Sequence, residues 1–408
     1  MKILWFSVTP SLYGDNIIGG KWVISLQQIV MKYCPDIHLA VAFEHTDEVF
    51  KVERDGVTYY PMNKRHSYIW DRIYKYFPEK ANSVLLENMR AVVEDYKPDI
   101  IQCFGSEWPW GLVTPYVNCP VVIHMQGFLN IYDLSGQMAR SCLLNAWNRS
   151  PQERLKDYFS RFREEKRNAM ERKIMATNHH FLVRTAWDEA IVKYYGAKDA
   201  KAYYCPEAIR PEIYDAKERW SWHSRKTMQI VSISGGGILK GNEIIFRTAI
   251  ILKSLGFDFQ WKIAGDAHCI SSYGKALGVN PEEVGIELIG FIDGDEIARL
   301  LASSDAYVHA AIIDNSPNSL CEAQLLGCPV ITSYVGGIPQ LVTDGETGLF
   351  FPYNEPHALA FKLMRLHEDR ELAEHLSMNE ISVAKERHSP EMIAKTLYDI
   401  YFQAISHE

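Results

Sequence analysis

Two stretches of the chain carry residues whose types and spacing could do chemistry. In "DNSPNSLCEAQLLGCPVI" (residues 314–331), Asp314 and Glu322 stand eight positions apart around a Ser-Pro step. The run "AYVHAA" before it reads as a strand, so Asp314 falls just past a strand's carboxyl end. Ser316 reads as an N-cap and Pro317 as the first helical residue, with the helix stopping at Gly327. The first turn would offer the amides of Asn318, Ser319 and Leu320 to an anion. Glu322 lies too far in to gain from the dipole. It is either an acceptor for vicinal hydroxyls, as in ribose binding, or an ordinary exposed helix glutamate.

The second stretch is "SISGGGILKGNEII" (residues 232–245). A strand ends, the glycines 235–237 follow, and Lys240-Gly241 opens a helix. Gly236 and Gly237 would let the backbone approach a ligand, and a lysine at a helix start suits phosphate. The alternative is a plain strand-to-helix turn. Neither a Walker A loop nor a GxGxxG fingerprint is present. Past "PVITSY" comes a third, generic stretch with the Gly336-Gly337 turn and a further turn at Asp344-Gly345.

The elements that must position these residues alternate along almost the whole chain. Continuous apolar strands ("KILWFSV", "IHLAVAFE", "DIIQCFG", "PVVIHMQG", "MQIVSIS", "FQWKIAG") are separated by helix-period stretches, including 20–33, 81–97, 151–176 and 186–195. That pattern predicts α/β domains with doubly wound parallel sheets, covered on both faces. The series restarts once, after the polar and aromatic segment 214–227. The expected division is a first domain over 1–212, a linker over 213–226 and a second domain over 227–388. A final helix within 389–408 is expected to pack back on the first domain, with Ser389 as cap and Pro390 as first residue. Segment 129–150 shows no readable pattern.

Taken in order, the three stretches resemble the donor-binding half of the retaining, two-Rossmann (GT-B) glycosyltransferases of family 4, or glycosyltransferase group 1, in their bacterial form. The matching residues are Lys240-Gly241, Asp314 to Glu322, Gly327-Cys328-Pro329-Val330-Ile331, and Gly336-Gly337 through Val342, Gly345 and Gly348. The likeness covers most of 228–385; the first half matches more loosely, through Gly19-Gly20, "FLVRTAWDEAIVKYYG" and "YYCPEAIRPEIY".

The resemblance implies two Rossmann-like domains facing across a cleft and transfer of a sugar from a UDP- or GDP-sugar to a glycan or lipid-linked glycan hydroxyl. It implies retention at the anomeric carbon, no metal and no cofactor beyond the nucleotide-sugar co-substrate. Glu322 would hold the ribose, Asp314 the donor sugar, and Lys240 with the Ser319 and Leu320 amides the departing diphosphate. Gly290 and Phe291 would lie near the base, and Gly19-Gly20 would meet the phosphates from the other domain. Three departures stand out. Asp314 replaces the family's usual Glu. No arginine precedes Lys240 by about six residues. "VVIHMQGF" (residues 121–128) puts Gln126-Gly127 where the family has His-Gly, with His124 on the same strand face as Gln126. Either Gln126 or His124 could reach the donor sugar, or His124 is a core histidine. Arg184 is a substitute cation. The rival readings are a nucleotide-sugar epimerase or phosphorylase of the same architecture, and a non-catalytic nucleotide-sugar-binding protein.

Outside that pattern, Glu107 and Trp108 in "CFGSEWPWG" (residues 103–111) are either acceptor-side residues or a cap-region acid beside core tryptophans. "KRHSYIWDRIYKYFP" (residues 64–78) is either an acceptor or membrane-edge loop or a two-faced helix. Net charge of −8 argues against nucleic acid as a partner. Segment 151–173 is locally basic, with eight Lys/Arg against five Asp/Glu. It is either a solvated helix face or a patch drawn to anionic lipid headgroups. No apolar run reaches the ~18 residues that span a bilayer, and the start reads as a strand rather than a signal peptide. The eight cysteines lack CxxC pairs and mostly sit in apolar runs. The expectation is a cytoplasmic enzyme of polysaccharide biosynthesis, with a peripheral inner-membrane contact.

Overall fold

The computed structural model describes residues 1–14, 21–46, 49–63, 78–143 and 151–406, and side chains outside 21, 139–143 and 151–157 among these. It divides into two units. The first comprises Met1–Leu134, Ser141–Ala208 and Pro390–Glu408; the second comprises Ile209–Ser389 with the short segment Ser135–Arg140.

The first unit is built on an eight-stranded sheet of order β3-β4-β2-β1-β5-β6-β7-β8. Its strands are β1 (Lys2–Phe6), β2 (His38–His45), β3 (Val52–Arg54), β4 (Val57–Asn63), β5 (Ile100–Phe104), β6 (Val121–His124), β7 (His180–Val183) and β8 (Lys201–Tyr204). All pairings are parallel except β3–β4, an edge hairpin too short to show in the sequence pattern. The unbroken apolar strands are explained by burial on both faces. Ile3, Trp5, Leu39 and Val41 pack with Ile393, Leu397 and Tyr401 of the final helix, Pro390–Ser406. Leu4, Phe6, Ala40 and Ala42 pack on the opposite face with Met89, Val92 and Trp110. Alternate residues of each strand thus serve two separate cores.

The second unit holds a six-stranded parallel sheet of order β11-β10-β9-β12-β13-β14. Its strands are β9 (Met228–Ser234), β10 (Phe259–Gly265), β11 (Ile286–Gly290), β12 (Ala306–His309), β13 (Val330–Ser333) and β14 (Leu349–Phe351). Counted from β9 as the first strand, this is the order 3-2-1-4-5-6 of dinucleotide-binding folds. Its strand order reverses between β9 and β12, and such sheets bind ligands at the strands' carboxyl ends there. Residues 213–226, expected as a linker, are grouped with this unit. Ile213 and Trp220 are buried in its core, and the Trp220 amide donates to the Leu326 carbonyl at 2.8 Å.

Segment 129–150, unreadable in the sequence, contains a helix over Leu129–Leu143. Its first amides meet a side chain from far along the chain. The Glu171 carboxylate, 42 residues away, accepts from the Leu129 amide at 3.1 Å, the Asn130 amide at 3.2 Å and Asn130 Nδ2 at 2.8 Å. It does so from the helix Pro151–Thr177.

Glu380, on the helix Arg370–Arg387, is fully buried in the second unit. Burial pushes its pKa well above the ordinary carboxylate value, and the Val330 backbone offsets this only in part. A raised folded-state pKa means that stability is lost progressively as pH rises from the unfolded value toward the folded one. Glu380→Gln should therefore melt higher than the unaltered protein, by about 2–4 °C for each kcal/mol relieved. The gap should widen between pH 5 and pH 7 in thermal melts; a gap independent of pH contradicts this account.

Candidate active site

The reversal point of the second sheet gathers the loops that follow β9 and β12. After β9, a short 3-10 turn over Ile238–Lys240 precedes the helix Asn242–Ser254, so Lys240 stands two residues before the helix rather than in it. Gly241 separates them in the left-handed region, φ 66°. A Cβ there would lie 1.7 Å from the Ala310 carbonyl oxygen. Only glycine lets the two loops touch. The Ile312 amide then donates to the Leu239 carbonyl at 2.8 Å, tying the loops together.

That approach brings Lys240 Nζ to 2.7 Å from Asp314 Oδ2, with side chains 38% and 13% exposed. From beneath, His309 Nε2 lies 3.2 Å from the same oxygen. His309 closes β12, in a run that sequence reading identified only as a strand. Its Nδ1 is 3.3 Å from the Tyr307 hydroxyl, which is 2.8 Å from the Ser319 hydroxyl. Burial alone would raise the Asp314 pKa. The Lys240 ammonium, with His309, outweighs it and holds the carboxyl well below the usual range. Burial lowers the His309 pKa, and the nearby Lys240 charge adds to this, while Asp314 opposes it. A neutral imidazole beside an ionised carboxylate favours the proton on Nε2, while the Tyr307 hydroxyl gives its own proton to Ser319 Oγ.

The Gly336-Gly337 turn is packed on this cluster. A Cβ at Gly336, φ 53°, would lie 1.9 Å from the Asp314 carbonyl oxygen, which accepts from the Gly337 amide at 3.1 Å. A motif that looked generic in sequence is thus a backbone support for Asp314.

The next helix spans Asn318–Leu326 and ends at Gly327 in the left-handed region, φ 76°. Pro317, not Ser316, is its N-cap, and no side chain caps it; Ser316 Oγ is buried with no hydrogen-bond partner among the described residues. The Leu320 amide donates to the Pro317 carbonyl at 3.0 Å, so it is already used within the turn. Asn318 and Ser319 supply the first-turn amides.

Glu322 is not an exposed helix glutamate. Its side chain is 3% exposed, and Arg210 Nη2 lies 2.6 Å from Oε1. Arg210 Nε donates to the same oxygen at 2.7 Å. Nothing in the local sequence signals a partner 112 residues away. Gly290 ends the edge strand β11, and Phe291 beyond it is 74% exposed. Gly236, φ 83°, and Gly237 form the loop after β9.

In the first unit, the described site candidates lie at or past the ends of β5, β6 and β7. β6 ends at His124, so Gln126 is beyond the strand and the shared-face argument fails. His124 closes a buried polar chain. Trp5 Nε1 donates to the Tyr401 hydroxyl at 3.0 Å, Tyr401 donates to Gln102 Oε1, and Gln102 Nε2 is 3.2 Å from His124 Nδ1. Burial, with Arg184's charge, pushes the His124 pKa down to about 3. Its Nε2 is buried with no hydrogen-bond partner among the described residues. Arg184 is buried, 2.7 Å from Glu207, and donates to the Gln126 carbonyl. It is committed to this unit's interior rather than placed as a spare cation.

Glu107 folds its carboxyl over Gly105, and Oε2 has no hydrogen-bond partner among the described residues. Burial, then the neighbouring Glu171, pushes its pKa up to about 8, which favours the neutral acid near pH 7. Trp108 beside it is exposed. Gly19 and Gly20 lie outside the described residues, as does segment 64–77. Among the described residues no cluster of three or more His, Cys, Asp or Glu side chains could hold a metal ion.

The chain superposes over 100% of its length on sucrose-phosphate synthase from Thermosynechococcus elongatus, with a TM-score of 0.76 at 17% identity and 100% of that chain covered. It superposes over 99% on all of Anabaena HepE, solved in complex with UDP-glucose, with a TM-score of 0.68 at 14% identity. The fold is GT-B, with two Rossmann-like domains. Residues 248–383 match the family of glycosyl transferases group 1. Among curated relatives, the amylovoran biosynthesis glycosyltransferase AmsK of Erwinia amylovora is 28% identical over 166 residues. That alignment covers 39% of this chain and 40% of the relative.

The His309 environment makes a direct prediction. In nitrogen-detected NMR, with assignment by His309→Asn, His309 should remain neutral and Nε2-protonated at pH 6.5, where an exposed histidine is half charged. Half or more imidazolium at that pH contradicts the relay.

Proposed function

We propose that the protein is a retaining glycosyltransferase that moves a sugar from a UDP- or GDP-sugar to a hydroxyl of a glycan or lipid-linked glycan. The observation that carries this reading is the Lys240 ammonium held by Asp314 at the sheet's reversal point, beside the first turn of the helix Asn318–Leu326. A fixed cation and helix amides stabilise charge developing on a leaving diphosphate. In this reading they do so without a metal. Glu322 accepts from the ribose hydroxyls, Asp314 meets the donor sugar, and the base lies near Gly290 and Phe291. The UDP-glucose in the HepE complex supports a nucleotide-sugar donor. The AmsK name supports a place in polysaccharide biosynthesis.

A cytoplasmic location agrees with the buried cysteines Cys34, Cys103, Cys205, Cys321 and Cys328, none of them in a disulfide. No described helix is long and apolar enough to cross a membrane. Exposed Tyr158, Phe159 and Phe162 on the basic helix Pro151–Thr177 support a peripheral contact with an anionic inner membrane, where a lipid-linked acceptor would be met. Glu107 and Trp108 are assigned to the acceptor side.

The test is a panel of UDP- and GDP-sugars, read by calorimetric binding and slow donor hydrolysis. At least one should bind and be hydrolysed. Lys240→Ala should cut the hydrolytic kcat by about 10²–10³, the usual loss for a transition-state charge stabiliser. Glu322→Ala should act mainly on binding and raise KM. No binding across the panel, or both variants behaving as the unaltered protein, would refute the proposal.

A further inference from the structure

The helix Asn318–Leu326 offers more than its first amides. Ser319, its second residue, is partly exposed, and its hydroxyl meets that of Tyr307, 12 residues earlier in the chain. Tyr307 is held in place. It stands in β12, between β9 and β13, in register with Val231 and Val330. Its amide donates to the Pro329 carbonyl at 2.9 Å, and its ring stacks on His309 with centroids 6.4 Å apart.

The direction of the proton matters. Tyr307 is fully buried, and burial raises its hydroxyl pKa above the ordinary phenol value, so the group stays a donor. It donates to Ser319 Oγ at 2.8 Å. A serine hydroxyl carries one proton and two acceptor lone pairs. With Tyr307 on a lone pair, the Ser319 proton is left for another acceptor, and no described residue takes it. Just before the N-cap, Ser316 is 4% exposed, with its hydroxyl buried and unpartnered. A polar group kept without a partner costs free energy, which a ligand rich in acceptor oxygens relieves. The helix dipole at the same start favours an anion.

We propose that the Ser319 hydroxyl is a side-chain ligand of the nucleotide's diphosphate, and that Tyr307 is the residue that positions it. This rests on the reading of the helix start as the diphosphate site, and it adds a side-chain donor to Lys240 and the first-turn amides. Tyr307 need not touch the nucleotide. It acts by taking the acceptor side of Ser319, so that the serine donates. A tyrosine that only filled the core would affect every nucleotide alike. A positioning tyrosine changes the preference for diphosphate over monophosphate, and does so only while Ser319 carries its hydroxyl.

The experiment measures that preference. UDP and GDP, each with its monophosphate, are titrated calorimetrically into the full chain, unaltered and as Ser319→Ala, Tyr307→Phe and the double variant. The unaltered protein should bind the diphosphate more tightly. Ser319→Ala should cut the preference roughly 10-fold or more, the worth of a hydrogen bond to a charged group. Tyr307→Phe, which keeps the ring in the core, should cut it about two- to tenfold, the worth of a neutral hydrogen bond. In the Ser319→Ala background the same Tyr307→Phe change should cost less than about twofold, because the tyrosine acts through the serine. An unchanged preference in Ser319→Ala or in Tyr307→Phe overturns the proposal, as does a Tyr307→Phe loss of equal size in both backgrounds. If Tyr307→Phe does not fold, as judged by circular dichroism, Ser319→Ala alone decides: a reduced preference supports the proposal and an unchanged one overturns it. If the unaltered protein binds diphosphate no more tightly than monophosphate, the reading of the helix start as the diphosphate site fails and this inference with it. Binding neither UDP nor GDP refutes the proposed function itself.

Discussion

The site depends on one close backbone approach. With Gly241 at φ 66° and the Ala310 carbonyl where a Cβ would stand, the loops after β9 and β12 touch directly. Any side chain at 241 would force them apart, because the obstacle is backbone and cannot rotate away. The Leu239–Ile312 hydrogen bond and the Lys240–Asp314 pair follow from that contact. Gly336 repeats the device against the Asp314 carbonyl. Two glycines thus place an ammonium and a carboxylate where a Rossmann-type sheet reverses its strand order, the position such sheets use for ligands.

Around this contact, each charged group is held from below by a neutral or opposite partner. His309, Tyr307 and Ser319 form a buried relay from Asp314 to the first turn of the helix Asn318–Leu326. Arg210 does the same for Glu322. The consequence is preorganisation. Groups locked by packing and second partners need not reorganise when charge develops on a ligand, which is where electrostatic catalysis gains most.

Much of this is legible in the sequence, for a definable reason. Strands buried on both faces read as unbroken apolar runs, so the α/β class shows in "KILWFSV" and "MQIVSIS" without any partner being known. Lys240, Asp314 and Glu322 are visible because each sits at a fixed offset from a strand end. What escaped depends on residues far apart in the chain. The helix Leu129–Leu143 was unreadable because the carboxylate that meets its first amides, Glu171, lies 42 residues away. Ser316-Pro317 looked like a cap and a first residue, but the helix begins one residue later with Pro317 outside it. His309 did not stand out in its strand because what its two ring nitrogens meet is set by the fold. Arg210 lay in a proline-flanked segment with no period, and only the fold brings it to Glu322. Arg184, an attractive candidate by charge alone, is spent on Glu207.

The most direct test of the central claim is an experimental structure of the protein with UDP or GDP bound. The account predicts the β-phosphate within hydrogen-bond reach, about 2.7–3.2 Å, of Lys240 Nζ and of the Asn318 or Ser319 amide, with the ribose at Glu322. A diphosphate bound elsewhere, with the first turn of that helix empty and Lys240 still engaged only by Asp314, would contradict it.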